Sequence, residues 1–143
     1  MCIRDSGYQR MLEQNPCDPK ALVGMSLVAL ASRQSEAAVK MARAALGQAP
    51  KMGTAWVALG QALKAAGRRD EAERAYLHAI SLDGMDVLAR MGLGELMLAL
   101  GRPEAAIKEY ELALRKQPAM AGAHMGLGHA LTMICLLYTS RCV

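Results

Sequence analysis

The chain has 143 residues, 53% of them apolar and only 3% aromatic, with a formal net charge of +4. Its Lys and Arg are scattered among Glu and Asp without interleaved aromatics, so a nucleic-acid-binding surface is not implied. The apolar run Leu131 to Tyr138 falls well short of the about 20 residues a bilayer-spanning helix needs, and no membrane insertion is expected.

Along the chain, apolar residues recur at helical spacing between breakers. A first pattern near 7–14 carries Tyr8 and ends at Pro16. Helices are expected next at 19–32 and 35–48. In the helix expected at 53–66, Trp56, Leu59, Leu63 and Ala66 line one face, and Gly67 closes it where a left-handed residue is tolerated. Asp70 suits the start of a helix at 69–82, whose apolar face holds Ala72, Ala75, Tyr76, Ala79 and Ile80. Helices at 87–100 and 103–116 repeat this arrangement, with Pro103 as a first-turn proline. A last helix is expected at 121–133, and no strand anywhere.

These helices carry a ladder with a period of 34 residues. Leu59-Gly60, Leu93-Gly94 and Leu127-Gly128 form one rung, and Ala38, Ala72 and Ala106 another. Tyr8, Tyr76 and Tyr110 share a slot with Ala42. Pro16, Pro50 and Pro118 share one with Gly84, and Gly67 pairs with Gly101. A fixed period of this length means stacked copies of one helix-turn-helix unit, each burying its apolar face on the next. The fold class expected is therefore all-α, an α-α solenoid of about three and a half repeats. Such an architecture points to a binding scaffold rather than an enzyme. Gly60 and Gly94 sit mid-helix, where glycine costs roughly 1 kcal/mol against alanine, so a neighbouring backbone is expected to come close. Ala72 and Ala106 are the expected facing surfaces, almost fully buried.

The ladder resembles the tetratricopeptide repeat. Trp56-x2-Leu59-Gly60-x2-Leu63, Ala72-x3-Tyr76 and Gly84 match that family's spacing of W-x2-L-G-x2-Y, A-x3-F and P, with Leu63 and Gly84 departing in type. The next copy keeps Leu93-Gly94-x2-Met97, Ala106-x3-Tyr110 and Pro118, with Arg90 in the tryptophan slot. Residues 19–52 form a degenerate copy that keeps Met25, Ser26, Ala38, Ala42 and Pro50 at the spacing. Residues 7–18 and 121–133 read as partial repeats at either side of full copies 19–52, 53–86 and 87–120.

Met1 to Ser6 and Cys135 to Ser140 fit no repeat. ATG-TGT-ATA-AGA-GAC-AG encodes the first and TGT-CTC-TTA-TAC-ACA-TCT the second. The two strings are reverse complements over their shared span and resemble a transposase mosaic-end adapter. Residues 1–6 and 134–143 are therefore expected to be foreign ends rather than two unrelated natural tails, and the repeats an internal fragment of a longer reading frame. Without Arg4, Asp5 and Arg141, Lys+Arg falls from 17 to 15 and Asp+Glu from 13 to 12, so the charge becomes +3. Cys2, Cys135 and Cys142 lie in these ends, which leaves Cys17 and no disulfide framework.

Chemistry-bearing motifs are sparse. His124 and His129 are five apart and His78 lies in another repeat, whereas helical metal pairs need spacings of three or four. His124 occupies the tryptophan slot, so packing is its expected role. Gly92-Leu93-Gly94 and Gly126-Leu127-Gly128 lack the rest of a dinucleotide fingerprint and follow no strand. Cys17 has no activating surroundings, and Ser26, Ser32 and Ser35 have no nucleophile-elbow sequence. No catalytic residue, metal or cofactor is expected, and the many Met residues read as core filler.

In the tetratricopeptide family the first helices of successive repeats line a concave surface that binds extended or helical segments. Carried over by position, the resemblance places Val23 and Leu27; Val57, Ala58, Gln61 and Lys64; Met91, Gly92, Glu95 and Leu98; and Met125, Gly126 and His129 on that face. Val57, Met91 and Met125 stand where a carboxylate clamp would carry basic residues, so an amphipathic helix or hydrophobic strip is the partner this face suits. The other reading is that some of these residues pack against further repeats or a neighbouring domain. The function implied is a non-catalytic protein-interaction scaffold. The alternative is an accessory arm of a larger glycosyltransferase-like or sulfotransferase-like enzyme, or of a secretion or assembly protein. Leu127, Leu131, Leu136 and Leu137 are expected to leave an apolar face exposed, through which copies of the chain could self-associate.

Overall fold

The computed structural model describes residues 18–84 and 86–142, so the helix expected at 7–14 lies outside it. Among the described residues there are seven helices and no strand: α1 (Pro19–Ala31), α2 (Ser35–Gln48), α3 (Gly53–Ala65), α4 (Arg69–Leu82), α5 (Val87–Ala99), α6 (Pro103–Lys116) and α7 (Ala121–Cys142). Six of the seven match the helices read from the sequence to within one residue at either end. The exception is α7, which continues nine residues past the expected stop at Met133, to Cys142. From Ile134 to Cys142 there is neither Gly nor Pro to break the backbone pattern, and the helix runs on.

The chain divides into two compact units, one reaching to Leu82 and one starting at Asp83. In the first, α1 packs on α2, α2 on α3 and α3 on α4, while α1 also lies alongside α3. In the second, α5 packs on α6 and α6 on α7, while α5 lies alongside α7. First helices therefore neighbour first helices within each unit, which is solenoid stacking.

The turns inside the repeats are built alike. The helices α1, α3 and α5 each end in a pair of reversed hydrogen bonds, in α1 from Gln34 N to Ala29 O at 2.8 Å and from Arg33 N to Leu30 O at 3.0 Å. The same pair recurs from Arg68 and Gly67, and from Arg102 and Gly101. This is the Schellman arrangement, which satisfies carbonyls left over at a helix end and requires a left-handed residue. Gly67 and Gly101 supply it with φ of 83° and 74°; in the first copy Arg33 is forced to φ 60°. A side chain in that region is strained by about 1 kcal/mol. Arg33→Gly should therefore raise the thermal midpoint slightly or leave it unchanged, whereas Gly67→Arg should lower it; a calorimetric comparison of the two variants checks this.

Helix starts use different means. The Asp18 side chain accepts from Lys20 N and caps α1, and Asp86 accepts from Ala89 N and caps α5. Asp70, expected at the start of α4, instead falls inside its first turn after Arg69, with Glu71 beside it. There the two carboxylates favour the positive end of the helix dipole without capping it.

The core of each unit is built of small residues with one tyrosine ring set into it. Ala38, Ala72 and Ala106 are each fully buried, as are Ala42, Ala79 and Ala113. Tyr76 and Tyr110 are almost completely enclosed. The atoms nearest each mid-helix glycine belong to a tyrosine ring, four residues beyond the alanine that the sequence suggested. A Cβ on Gly60 would stand 2.7 Å from the Tyr76 ring, and one on Gly94 would stand 2.8 Å from the Tyr110 ring. The glycines make room for the tyrosines four residues beyond those alanines. The first copy reverses both sizes: Ser26 replaces the glycine and Ala42 the tyrosine. Ser26 is buried, and its Oγ donates to Ala38 O at 2.9 Å. A larger residue on one helix thus accompanies a smaller one opposite, and the added hydroxyl finds a partner.

Candidate functional site

The tryptophan slot holds three different residues with one shared job. Trp56 Nε1 donates to Pro50 O at 2.9 Å. Arg90 donates from Nε and a terminal nitrogen to Gly84 O at 3.0 and 2.7 Å. The ring Nε2 of His124 lies 2.7 Å from Pro118 O, a contact that needs the proton on Nε2 because a carbonyl only accepts. Each side chain reaches back six residues and ties a first helix to the turn before it. Arg90 also pairs with Glu109 of α6 at 2.8 Å, and both side chains are largely shielded from solvent. His124 was expected to pack in a core or interface; it is exposed and held by this bond instead. The shared role was legible in principle, since Trp, Arg and His are all N–H donors at the 34-residue spacing.

The inner-face residues divide by accessibility. On α1 and α3, Val23 and Val57 are buried, so they serve packing more than contact with a partner. Ala58 is buried too, where α1 and α3 run close together. Leu27 is exposed, and Gln61 and Lys64 are half-buried. In the second unit, Gly92 and Gly126 are buried, while Met91 and Leu98 are half-buried and Glu95 and His129 are exposed. Met125 is the most open apolar residue of this set at 65% exposure. Met91 is not enclosed by its own repeat. Its Cε approaches α7, standing 2.7 Å from where a Gly122 Cβ would be. The accessible apolar strip in this unit is thus Met91, Leu98 and Met125 with Glu95 and His129 among them.

Tyr110 lies behind this strip. Its ring presses on Gly94 of α5 and on Gly126 of α7. Its Oη is buried and finds no hydrogen-bond partner among the described residues. Burial, with the Glu95 carboxylate adding to it, pushes the phenol up to about 12, so the ring stays neutral at ordinary pH. Elsewhere along α7, Leu131, Leu136 and Leu137 are exposed, whereas Leu127 is half-buried.

Among the described residues no group of three or more His, Cys, Asp or Glu could hold a metal ion. None of the helices among them is long and apolar enough to cross a membrane.

The tetratricopeptide repeat family model matches residues 23–77, 57–121 and 98–132. No curated protein sequence gives a match. Solved structures give many. The crystal structure of MamA protein is similar with a TM-score of 0.75 at 20% identity, covering 92% of this chain and 72% of that one. The first tetratricopeptide domain of Spaghetti (RPAP3), bound to the HSP90 peptide SRMEEVD, is similar with a TM-score of 0.76 at 18% identity, covering 82% of this chain and 94% of that one. The APC/C hetero-tetramer Cut9-Hcn1 has a TM-score of 0.78 at 22% identity, over 87% of this chain and 25% of that one. At these identities the likeness is one of fold.

Proposed function

The chain belongs to the tetratricopeptide repeat family, and from that premise we propose that it is a non-catalytic interaction scaffold binding the apolar face of an amphipathic helix. The observation that carries this reading is the accessible strip of Met91, Leu98 and Met125 on α5 and α7. Thioether side chains adapt to differently shaped apolar partners, and apolar anchors at helical spacing are what a helix lays into such a groove. Glu95 and His129 supply the polar margin. In the first unit, taken by itself, the accessible inner-face residues are Leu27, Gln61 and Lys64, since Val23 and Val57 are buried.

The same positions argue against capture of an acidic C-terminus. A carboxylate clamp needs convergent cationic donors, and Val57, Met91 and Met125 offer none. The Spaghetti domain binds the peptide SRMEEVD. This chain is expected not to bind that peptide in calorimetric titration, while binding amphipathic helical peptides selected against it from a displayed library. Tight binding of SRMEEVD that is lost on amidating its C-terminus would overturn the reading.

A further inference from the structure

We propose that α7 is a socket for residues 7–16 of a second copy of this chain, so that copies associate head to tail. The socket is defined by Gly128. It stands in the same slot as Gly60 and Gly94. A Cβ on either of those would run into the ring of Tyr76 or Tyr110, but a Cβ on Gly128 would meet nothing within 4 Å. Along the same helix Leu131 is 50% exposed and Leu136 is 67% exposed. Around Gly128 the helix is open, with Leu131 on one flank, Leu136 on the other and exposed Thr132 between them.

The sequence of this chain contains the matching plug. Tyr8 falls on the 34-residue ladder with Tyr76 and Tyr110. Tyr8, Met11, Leu12 and Pro16 reproduce the spacing of Tyr110, Ala113, Leu114 and Pro118. In its own unit Tyr110 is pressed between two glycines, Gly94 before it and Gly126 after it. Sixteen residues separate Tyr110 from Gly126, and sixteen separate Tyr8 from Gly24, which is buried on α1. The counterpart of Gly94 is then supplied by Gly128 of the second copy. In this register residues 7–16 of one copy would take, on α7 of the next, the place that α6 takes on α5. The patch and its complement are different stretches of the chain, so the contact is heterologous and can extend past a dimer.

Sedimentation of the full chain over a concentration series, with two variants, tests this. The wild-type mass should rise with concentration without settling at a dimer. Gly128→Leu fills the notch where there is open space, so it should keep the fold and sediment as a monomer. Tyr8→Ala removes the plug and should also be monomeric. Mixed in equal amounts, the two should form a one-to-one complex, because one retains the socket and the other the plug. A wild-type chain that stays monomeric throughout would overturn the proposal. So would association that survives Gly128→Leu, or a closed dimer that Tyr8→Ala leaves intact, which would mean that α7 pairs with α7.

Discussion

Tyr110→Ala is expected to destabilise its unit by about 3–5 kcal/mol, the range for deleting a large buried aromatic side chain. The ring fills the space between Gly94 and Gly126, and neither glycine has a side chain to collapse into the void. Tyr110→Phe should behave oppositely. It keeps the ring and deletes a hydroxyl that is buried without a partner, and desolvating such a group costs about 1–3 kcal/mol. The Phe variant should therefore match or exceed the wild type in urea midpoint. Alkaline pH separates them further. The folded phenol titrates at about 12, while an unfolded tyrosine titrates near 10. A raised folded value means that the stability is fully present below pH ~10 and is lost as pH rises toward about 12, because the unfolded chain releases the proton first. That loss should be absent from Tyr110→Phe. Equal alkaline slopes for the two proteins would show that Tyr110 is not enclosed as described.

Gly94→Ser should cost about 1–3 kcal/mol, because its Cβ would have to displace the Tyr110 ring from a packed site. Placed on top of Tyr110→Ala, the same substitution should cost nothing further or recover part of the loss. The double variant recreates the Ser26 and Ala42 pair of the first copy, and the new hydroxyl could donate to Ala106 O as Ser26 donates to Ala38 O. The two changes meet in one contact, so a coupling of about 0.5–3 kcal/mol is expected from the double-mutant cycle. Strict additivity would mean that the Gly–Tyr contact is not what links these helices.

Most of the fold was legible because its punctuation is local. Gly67, Gly101 and Pro103 end or open helices by their own backbone preferences, and the spacing of Ala72 and Ala106 declares a buried face. What escaped was set by the relation between helices. Nothing in a one-dimensional pattern says that the Tyr76 ring comes nearest to Gly60, since the offset depends on how the hairpin closes. Val57 carries an inner-face position number, yet the close approach of α1 and α3 goes with its burial. The length of α7 was missed for another reason. Residues 134–142 were read from their coding DNA as foreign, but helix continuation depends only on the absence of a breaker. Arg33 shows the converse, a position where geometry imposes the left-handed turn on a residue that does not favour it.

The proposed interaction surface was legible as a set of positions and not as a set of accessible side chains. Met91, an inner-face position by the sequence, is half-buried against Gly122 of α7, so a charge there would disturb packing as well as binding. Met125 separates the two effects, because it is exposed and lies on the same strip. The most direct measurement is therefore the affinity of a selected amphipathic helical peptide for Met125→Glu, taken alongside its thermal midpoint. Binding should weaken at least tenfold, about 1.4 kcal/mol, with the midpoint within a degree or two of the wild type. Undiminished peptide affinity in a stably folded Met125→Glu chain would contradict the assignment of this strip as the binding surface.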